Sequence, residues 1–242
     1  MKASLLEMDI AWGEPQKNIL TAERLMDENA GAELYVLPEM WATGFVVEPD
    51  GIAEDEDSSK ALQWMKTAAN ERHCAISGSL AVKVGENYRN RHYFVTPESV
   101  SFYDKHHLFS YGHEDKQYVR GEHPVIVSWQ GFRILLQTCY DLRFPVFSRY
   151  GRAGEYDAAI YVANWPRKRQ LAWDMLIRAR AIENQCYVIA VNRIGTDPVC
   201  EYAGGSAFID PVGRTLNGLS ADLSMDKLRL MRSRFRVLDD RD

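Results

Sequence analysis

Short apolar runs alternate with helix-spaced segments along the whole chain. Residues 2–8 alternate as a strand does. Residues 16–29 set Ile19, Leu20, Leu25 and Met26 at helical spacing. Residues 32–38, AELYVLP, read as a buried strand ended by Pro38, and residues 59–71 as a helix. HCAISGSLAV (73–82), RHYFVTP (91–97) and VSFYDK (100–105) follow as strands. PVIVSW (124–129) and FRILLQTC (132–139) form a pair joined through Gly131, with antiparallel pairing expected. A helix is predicted from about Phe144, then a buried strand in YDAAIYVAN (156–164). KRQLAWDMLIRARAIENQ (168–185) is a long amphipathic helix, predicted to bury Trp173, Leu176, Ile177 and Ile182. The strand CYVIAVN, a hairpin around Pro211–Gly213 and a closing helix over 224–235 complete the pattern.

Strands and helices alternate, but strand–strand pairs intervene. That combination predicts an α/β layer structure with mixed sheets rather than one parallel sheet. EPDGIAEDEDSSK (48–60) is the longest polar stretch and reads as a surface loop, too short to separate domains. One domain over 1–242 is expected. The chain is long enough to bury a large core without staples. Its net charge of −5 argues against nucleic acid or an anionic membrane surface as partner. Apolar runs fall short of the ~20 residues that span a bilayer. Cys74, Cys139, Cys186 and Cys200 show no Cys-x-x-Cys spacing, and the N-terminus carries Glu7 and Asp9 where an export signal would be apolar. A reducing cytoplasm with free thiols is the expected compartment.

Cys139 stands where a buried strand ends and a helix-start signal begins, with Asp141 as expected N-cap and Pro145 in the first turn. A thiol beside a helix N-terminus is favoured as thiolate, the nucleophilic form. A free cysteine is also simply a small buried hydrophobe, so placement alone leaves both readings open. Cys74 and Cys186 read as core, and Cys200 as a loop thiol.

A nucleophilic cysteine needs a base and an oxyanion stabiliser. None of the six histidines has a papain-type context. Glu39 follows a buried strand and is flanked by Met40, Trp41 and Phe45. An apolar setting of that kind raises a carboxyl pKa and suits a general base. Lys105 ends another strand, just before HHLFSYGHE. Three groups delivered by strand ends are how a rigid scaffold builds a site. His106 and His107 are adjacent, not four apart, and no cysteine pair accompanies them, so zinc is set aside.

Taken together, LPEMWATGF (37–45), YDKHHLF (103–109) and CYDLRFP (139–145) resemble the three motif blocks of the nitrilase superfamily of carbon–nitrogen hydrolases. NWP (164–166), ARAIENQ (179–185) and VNRIGTD (191–197) extend the resemblance over the whole chain, most closely to its ω-amidase branch. The resemblance implies a four-layer αββα sandwich with two mixed β-sheets and a homodimer. It implies hydrolysis of the terminal amide of small dicarboxylate monoamides such as 2-oxoglutaramate or succinamate. Glu39 then matches the general base, Lys105 the oxyanion-stabilising lysine, Cys139 the nucleophile, and Glu114 a second active-site glutamate. The backbone N–H of Tyr140 is expected to share the oxyanion. Trp41, Phe45, Tyr111 and Trp165 are expected to wall the pocket. Arg143 is a candidate for a substrate carboxylate, unless it pairs with Asp141. Arg167, Lys168 and Arg169 could reach the pocket mouth or form a solvated face. The only partners expected are the amide substrate, water and a second copy; no metal or organic cofactor is required.

Tyr140-Asp141 stands where the nitrile-hydrolysing branch has Trp-Glu, which favours an amide substrate. Val146 and Gly205 depart from residues common in the family, Glu and Asp. Other linear C–N substrates, an N-carbamoyl acid or a glutathione-derived amide, are alternatives. So is a non-catalytic binding protein, against which the intact triad argues.

Overall fold

The computed structural model describes residues 1–241. Its strands are β1 (Lys2–Leu5), β2 (Leu34–Val36), β3 (Glu54–Asp55), β4 (Ala75–Val84), β5 (Asn87–Val95), β6 (Val100–Asp104), β7 (Val125–Trp129) and β8 (Phe132–Thr138) in the first half. β9 (Ala158–Ala163), β10 (Tyr187–Asn192), β11 (Ile194–Thr196), β12 (Glu201–Ala203), β13 (Ala207–Ile209), β14 (Thr215–Leu216) and β15 (Ser220–Asp222) follow. The helices are α1 (Pro15–Glu28), α2 (Lys60–Arg72), α3 (Glu114–Gln117), α4 (Pro145–Ser148), α5 (Gln170–Asn184) and α6 (Met225–Arg234).

Among the described residues two mixed sheets result, beside a small antiparallel pair of β11 and β12. One runs β15-β1-β2-β4-β5-β6, with β3 on β4; the other runs β14-β13-β10-β9-β8-β7. Neighbours β1–β2 and β2–β4 are parallel, whereas β4–β5 and β5–β6 are antiparallel hairpin partners. In the second sheet β8–β9 and β9–β10 are parallel, and β7–β8 is the expected antiparallel pair. The expected hairpin of β13 and β14 is also present.

Alternation along the strands builds the layers. Ile134, Leu136, Ile160 and Val162 face Leu5, Val36 and Phe94 of the other sheet in a central core. Their neighbours Leu135, Ala159 and Tyr161 face outward onto Trp173, Ile177 and Ala181 of α5. On the far side, Tyr35, Ile76 and Tyr93 pack under Ile19 and Met26 of α1 and Met65 of α2. This is the expected αββα sandwich.

Three local expectations are corrected. The helix predicted from Phe144 is a single turn, Pro145–Ser148, after a 3-10 turn over Cys139–Arg143; Arg149 is extended and Gly151 has φ +89°. The N-cap of that 3-10 turn is Thr138, and Asp141 lies inside it. On α5, Trp173 and Ile177 are buried, Leu176 only partly, and Ile182 is 52% exposed on the outer face. Cys74 and Cys186 are core residues as expected, and all four cysteines are unpaired.

Candidate active site

The turn after β2 carries Glu39. It is pinned to β4 by Leu37 N–H on the Ser77 carbonyl (2.7 Å) and Met40 N–H on Ser79 Oγ (2.9 Å). Met40 takes a left-handed φ of +42°, which reverses the chain and sends Glu39 and Trp41 to different surroundings. Gly78 in β4 permits this approach. A Cβ there would stand 2.8 Å from Leu37 Cβ and 2.9 Å from Trp41 Cδ1.

Cys139 takes φ +44°, also left-handed, where β8 turns into the 3-10 turn. His113, just before Glu114, has φ +62°. Among the described residues six non-glycines have positive φ, of which His73 and Gln185 terminate α2 and α5, and Gln130 sits with Gly131 in the β7–β8 turn. The other three adjoin Glu39 or Glu114 or are Cys139 itself. Backbone strain of this kind collects where geometry must be enforced.

Lys105 follows β6, its N–H on the Asn90 carbonyl (3.0 Å) and its carbonyl accepting from Gly121 N–H (3.0 Å). Its ammonium is buried and donates to Glu39 Oε1 (2.8 Å) and to Glu114 Oε2 (2.9 Å). Asn90 Nδ2 donates to Oε1 of both carboxylates, at 2.8 and 2.9 Å. Asn90 Oδ1 accepts from Ser79 Oγ (2.9 Å), which fixes the amide's orientation. The second oxygen of Glu39 accepts from Asn164 N–H (2.9 Å), and that of Glu114 from Phe109 N–H (2.6 Å). Glu39 therefore lies in a polar cradle, not the apolar setting its flanking residues suggest.

Cys139 is half-buried as a residue, and its thiol lies 3.9 Å from the Asn164 carbonyl and beside Glu39 and Lys105. Burial and the Glu39 charge push its pKa well above the usual thiol value, against the opposing pull of Lys105. The helix-start signal that favours thiolate is thus opposed first by burial and then by the facing Glu39 carboxylate, and the helical segment behind Cys139 is one short 3-10 turn. Burial acts to lower the Lys105 pKa, but Glu114 and Glu39 overcome it and hold the ammonium charged. Burial raises the Glu114 pKa, Lys105 pulls it down and Glu39 pushes it up, for a net rise.

Asp141 ties the Cys139 turn to the Lys105 loop. Its oxygens accept from Thr138 N–H (3.0 Å), Tyr103 Oη (2.7 Å) and His107 N–H (3.0 Å), and His107 Nδ1 lies 2.8 Å away. Those partners leave no room for Arg143. Its guanidinium lies over the Trp165 ring, 4.8 Å from the centroid.

Four expected site residues thus converge, Glu39, Lys105, Cys139 and Glu114, with Tyr140 beside them. The expected aromatic wall is partly corrected. Phe45 underlies Lys105, 5.4 Å from ring centroid to Nζ, and Trp165 is buried next to Asn164. Trp41 points away into the core under α2, 5.1 Å from Trp64. Tyr111 is 81% exposed and cannot exclude water. Phe109 takes the central place, its ring 6.4 Å from Phe45 and 5.1 Å from Tyr140. The sequence reading missed Phe109, Asn90 and the role of Asn164. The expected strand begins at Arg91, whereas β5 runs Asn87–Val95 and takes in Asn90; with those bounds an asparagine inside a strand would have marked it.

A thiol at a strained strand end, facing a buried carboxylate–ammonium–carboxylate trio on an αββα sandwich, defines the class of cysteine-dependent hydrolases. The chain belongs to the carbon–nitrogen hydrolase family, whose model matches residues 2–224. It is an enzyme of that family. It is 39% identical to the omega-amidase YafV of Escherichia coli strain K12, covering 100% of this chain and 97% of that one. It is 36% identical to the 2-oxoglutaramate amidase of Bacillus subtilis, covering 88% and 84%. The crystal structure of XC1258 from Xanthomonas campestris, a CN-hydrolase superfamily protein with an arsenic adduct in its active site, superposes with a TM-score of 0.95. It is 37% identical and covers 100% of this chain and 97% of that one.

Proposed function

We propose that this enzyme releases ammonia from the terminal amide of small dicarboxylate monoamides of the 2-oxoglutaramate or succinamate type. The observation that carries the reading is the Lys105 ammonium held between Glu39 and Glu114 beside the Cys139 thiol. Two relatives with amidase names, similar over most of their length, support the substrate class.

Glu39 takes the thiol proton as Cys139 Sγ attacks the amide carbon. The upward push on the thiol pKa from burial and Glu39 favours deprotonation coupled to attack. The developing oxyanion is held by the Lys105 ammonium and the Tyr140 N–H, a kind of contact worth about 10²–10³ in rate per donor. Glu39 returns the proton to the leaving nitrogen, ammonia departs and a thioester remains. Glu39, with Glu114, then activates a water that releases the acid and restores the thiol. Every group in this cycle is a side chain or backbone N–H of the protein, so no metal or organic cofactor is invoked. Arg143, held on Trp165 next to the nucleophile turn, is suited to a distal carboxylate.

Ammonia release measured over a panel of succinamate, 2-oxoglutaramate, an N-carbamoyl amino acid and a nitrile tests the reading. The two monoamides should exceed the other substrates by at least about tenfold in kcat/KM, a discrimination within reach of a charged subsite. Inactivity toward both monoamides would remove the assignment.

The whole chain is taken as one domain working in the cytoplasm, which the four unpaired thiols favour. Among the described residues no helix is long and apolar enough to cross a membrane. A homodimer is proposed through the outer face of α5, where Leu171, Met175 and Ile182 are more than half exposed. Light scattering should return about twice the 27.7 kDa chain mass. A monomer at micromolar concentration would contradict it.

A further inference from the structure

Among the described residues, two arginines that are at least partly buried make neither a hydrogen bond nor an ion pair through their guanidinium: Arg143 and Arg169. Every other buried or half-buried arginine is bonded. Arg91, for example, holds Asp104 and Glu56, and Arg232 holds Asp157. Both side chains are half-buried against the protein while their nitrogens keep contact with solvent, so the donors are held in place and open to an incoming anion.

Both lie against aromatic faces around the site. The Arg169 guanidinium is 5.2 Å from the Phe109 ring and 5.7 Å from the Tyr111 ring. Phe109 leads directly to the catalytic groups. Its N–H binds Glu114, and its ring neighbours Phe45 below Lys105 and Tyr140 beside Cys139. On the other flank, Trp165 carries Arg143 on its face and follows Asn164, which binds Glu39. The Trp165 indole N–H donates to the Arg169 carbonyl at 2.8 Å, so the two arginines are fixed to one another through a single side chain. Contact with the ring faces restrains each guanidinium on one side and leaves donors free for a carboxylate, which a guanidinium can receive in two parallel bonds.

We infer that Arg169 is a specificity-determining residue that grips the anionic end of the substrate together with Arg143, so that the mouth of the site is a two-armed clamp. This rests on the proposed function above and deepens it. A clamp of two guanidiniums suits an end group with more than one acceptor, such as the carboxylate and neighbouring keto oxygen of a 2-oxo acid. An uncharged amide of the same length offers nothing to either arm. The neighbouring Arg167 is different, because it is exposed and pairs with Glu201 at 3.6 Å.

The test compares kcat and KM of wild type, Arg169→Gln, Arg169→Lys and Arg167→Gln on succinamate, 2-oxoglutaramate and the neutral pentanamide. In Arg169→Gln, KM for both anionic amides should rise about 10- to 100-fold, as loss of a charge-assisted contact predicts, with kcat within about threefold. The ratio of kcat/KM for succinamate over pentanamide should collapse by the same factor. Arg169→Lys should recover part of it, and Arg167→Gln should leave the ratio unchanged. An unchanged ratio in Arg169→Gln, or an equal fall on pentanamide, would overturn the clamp. Wild-type enzyme that does not prefer succinamate to pentanamide would instead overturn the substrate reading itself, and the clamp with it.

Discussion

Replacing Lys105 with methionine should lower kcat on a monoamide by about 10²–10³-fold and destabilise the fold by roughly 3–5 kcal/mol near neutral pH. Methionine keeps the length and the apolar stem but removes the charge. The kinetic loss follows from removing one oxyanion donor from a site largely shielded from water. The stability loss follows from what remains. Glu39 and Glu114, both fully buried, would share Asn90 Nδ2 with no cation between them.

The pH dependence of that loss has a definite sign. Burial already lifts the Glu114 pKa, with Lys105 opposing and Glu39 assisting. Removing Lys105 removes the opposing pull, so the pKa climbs further. A carboxyl whose folded pKa exceeds its unfolded value of about 4.3 is favoured in the fold at low pH. That contribution is lost as pH rises through the folded pKa. The deficit of Lys105→Met should therefore be largest at pH 8 and shrink toward pH 5. In the wild type the raised Lys105 pKa keeps the ammonium's contribution intact until strongly alkaline pH. Chemical denaturation of both proteins at pH 5 and pH 8 measures this. An equal deficit at the two pH values would mean that Glu114 does not depend on Lys105 for its charge.

Much of this site is legible in the sequence because its chemistry sits at the ends of apolar runs. Glu39, Lys105 and Cys139 each follow a strand that the hydrophobic pattern marks, and the layer order follows from the mixture of hairpins and crossovers. Glu114 is legible only through family resemblance, since its one-turn helix has no periodicity. Asn90, Asn164 and Asp141 act across the gaps between segments, and spacing along the chain does not encode that. Trp41 shows the limit clearly. It is two residues from Glu39, but the left-handed Met40 turns it into the core beneath α2. The state of the Cys139 thiol was hidden for a similar reason. The local helix signal favours thiolate, whereas a carboxylate 100 positions earlier in the chain opposes it. The exposure of Ile182 likewise breaks the amphipathic pattern of α5, and it does so on the face assigned to a second copy.

The second large effect concerns the nucleophile. Removing Cys139 leaves Glu39, Lys105 and Glu114 with their mutual hydrogen bonds, because none of those bonds involves the sulfur. The fold should therefore survive Cys139→Ala with little change in stability. Catalysis should not, because Cys139 is the thiol beside Lys105 and Glu39: Cys74 and Cys186 are core residues, and Cys200 has Asp197, Arg169 and Tyr202 for neighbours. Loss of a nucleophile from a coupled catalytic group costs several powers of ten in rate.

The most direct test is ammonia release from succinamate by wild type and Cys139→Ala, with iodoacetamide labelling of the wild type mapped by mass spectrometry. One label on Cys139 should abolish release in proportion to its extent, and Cys139→Ala should lie at least about 10⁴-fold below wild type. Full amide hydrolysis by Cys139→Ala, or by enzyme labelled at Cys139, would contradict the account.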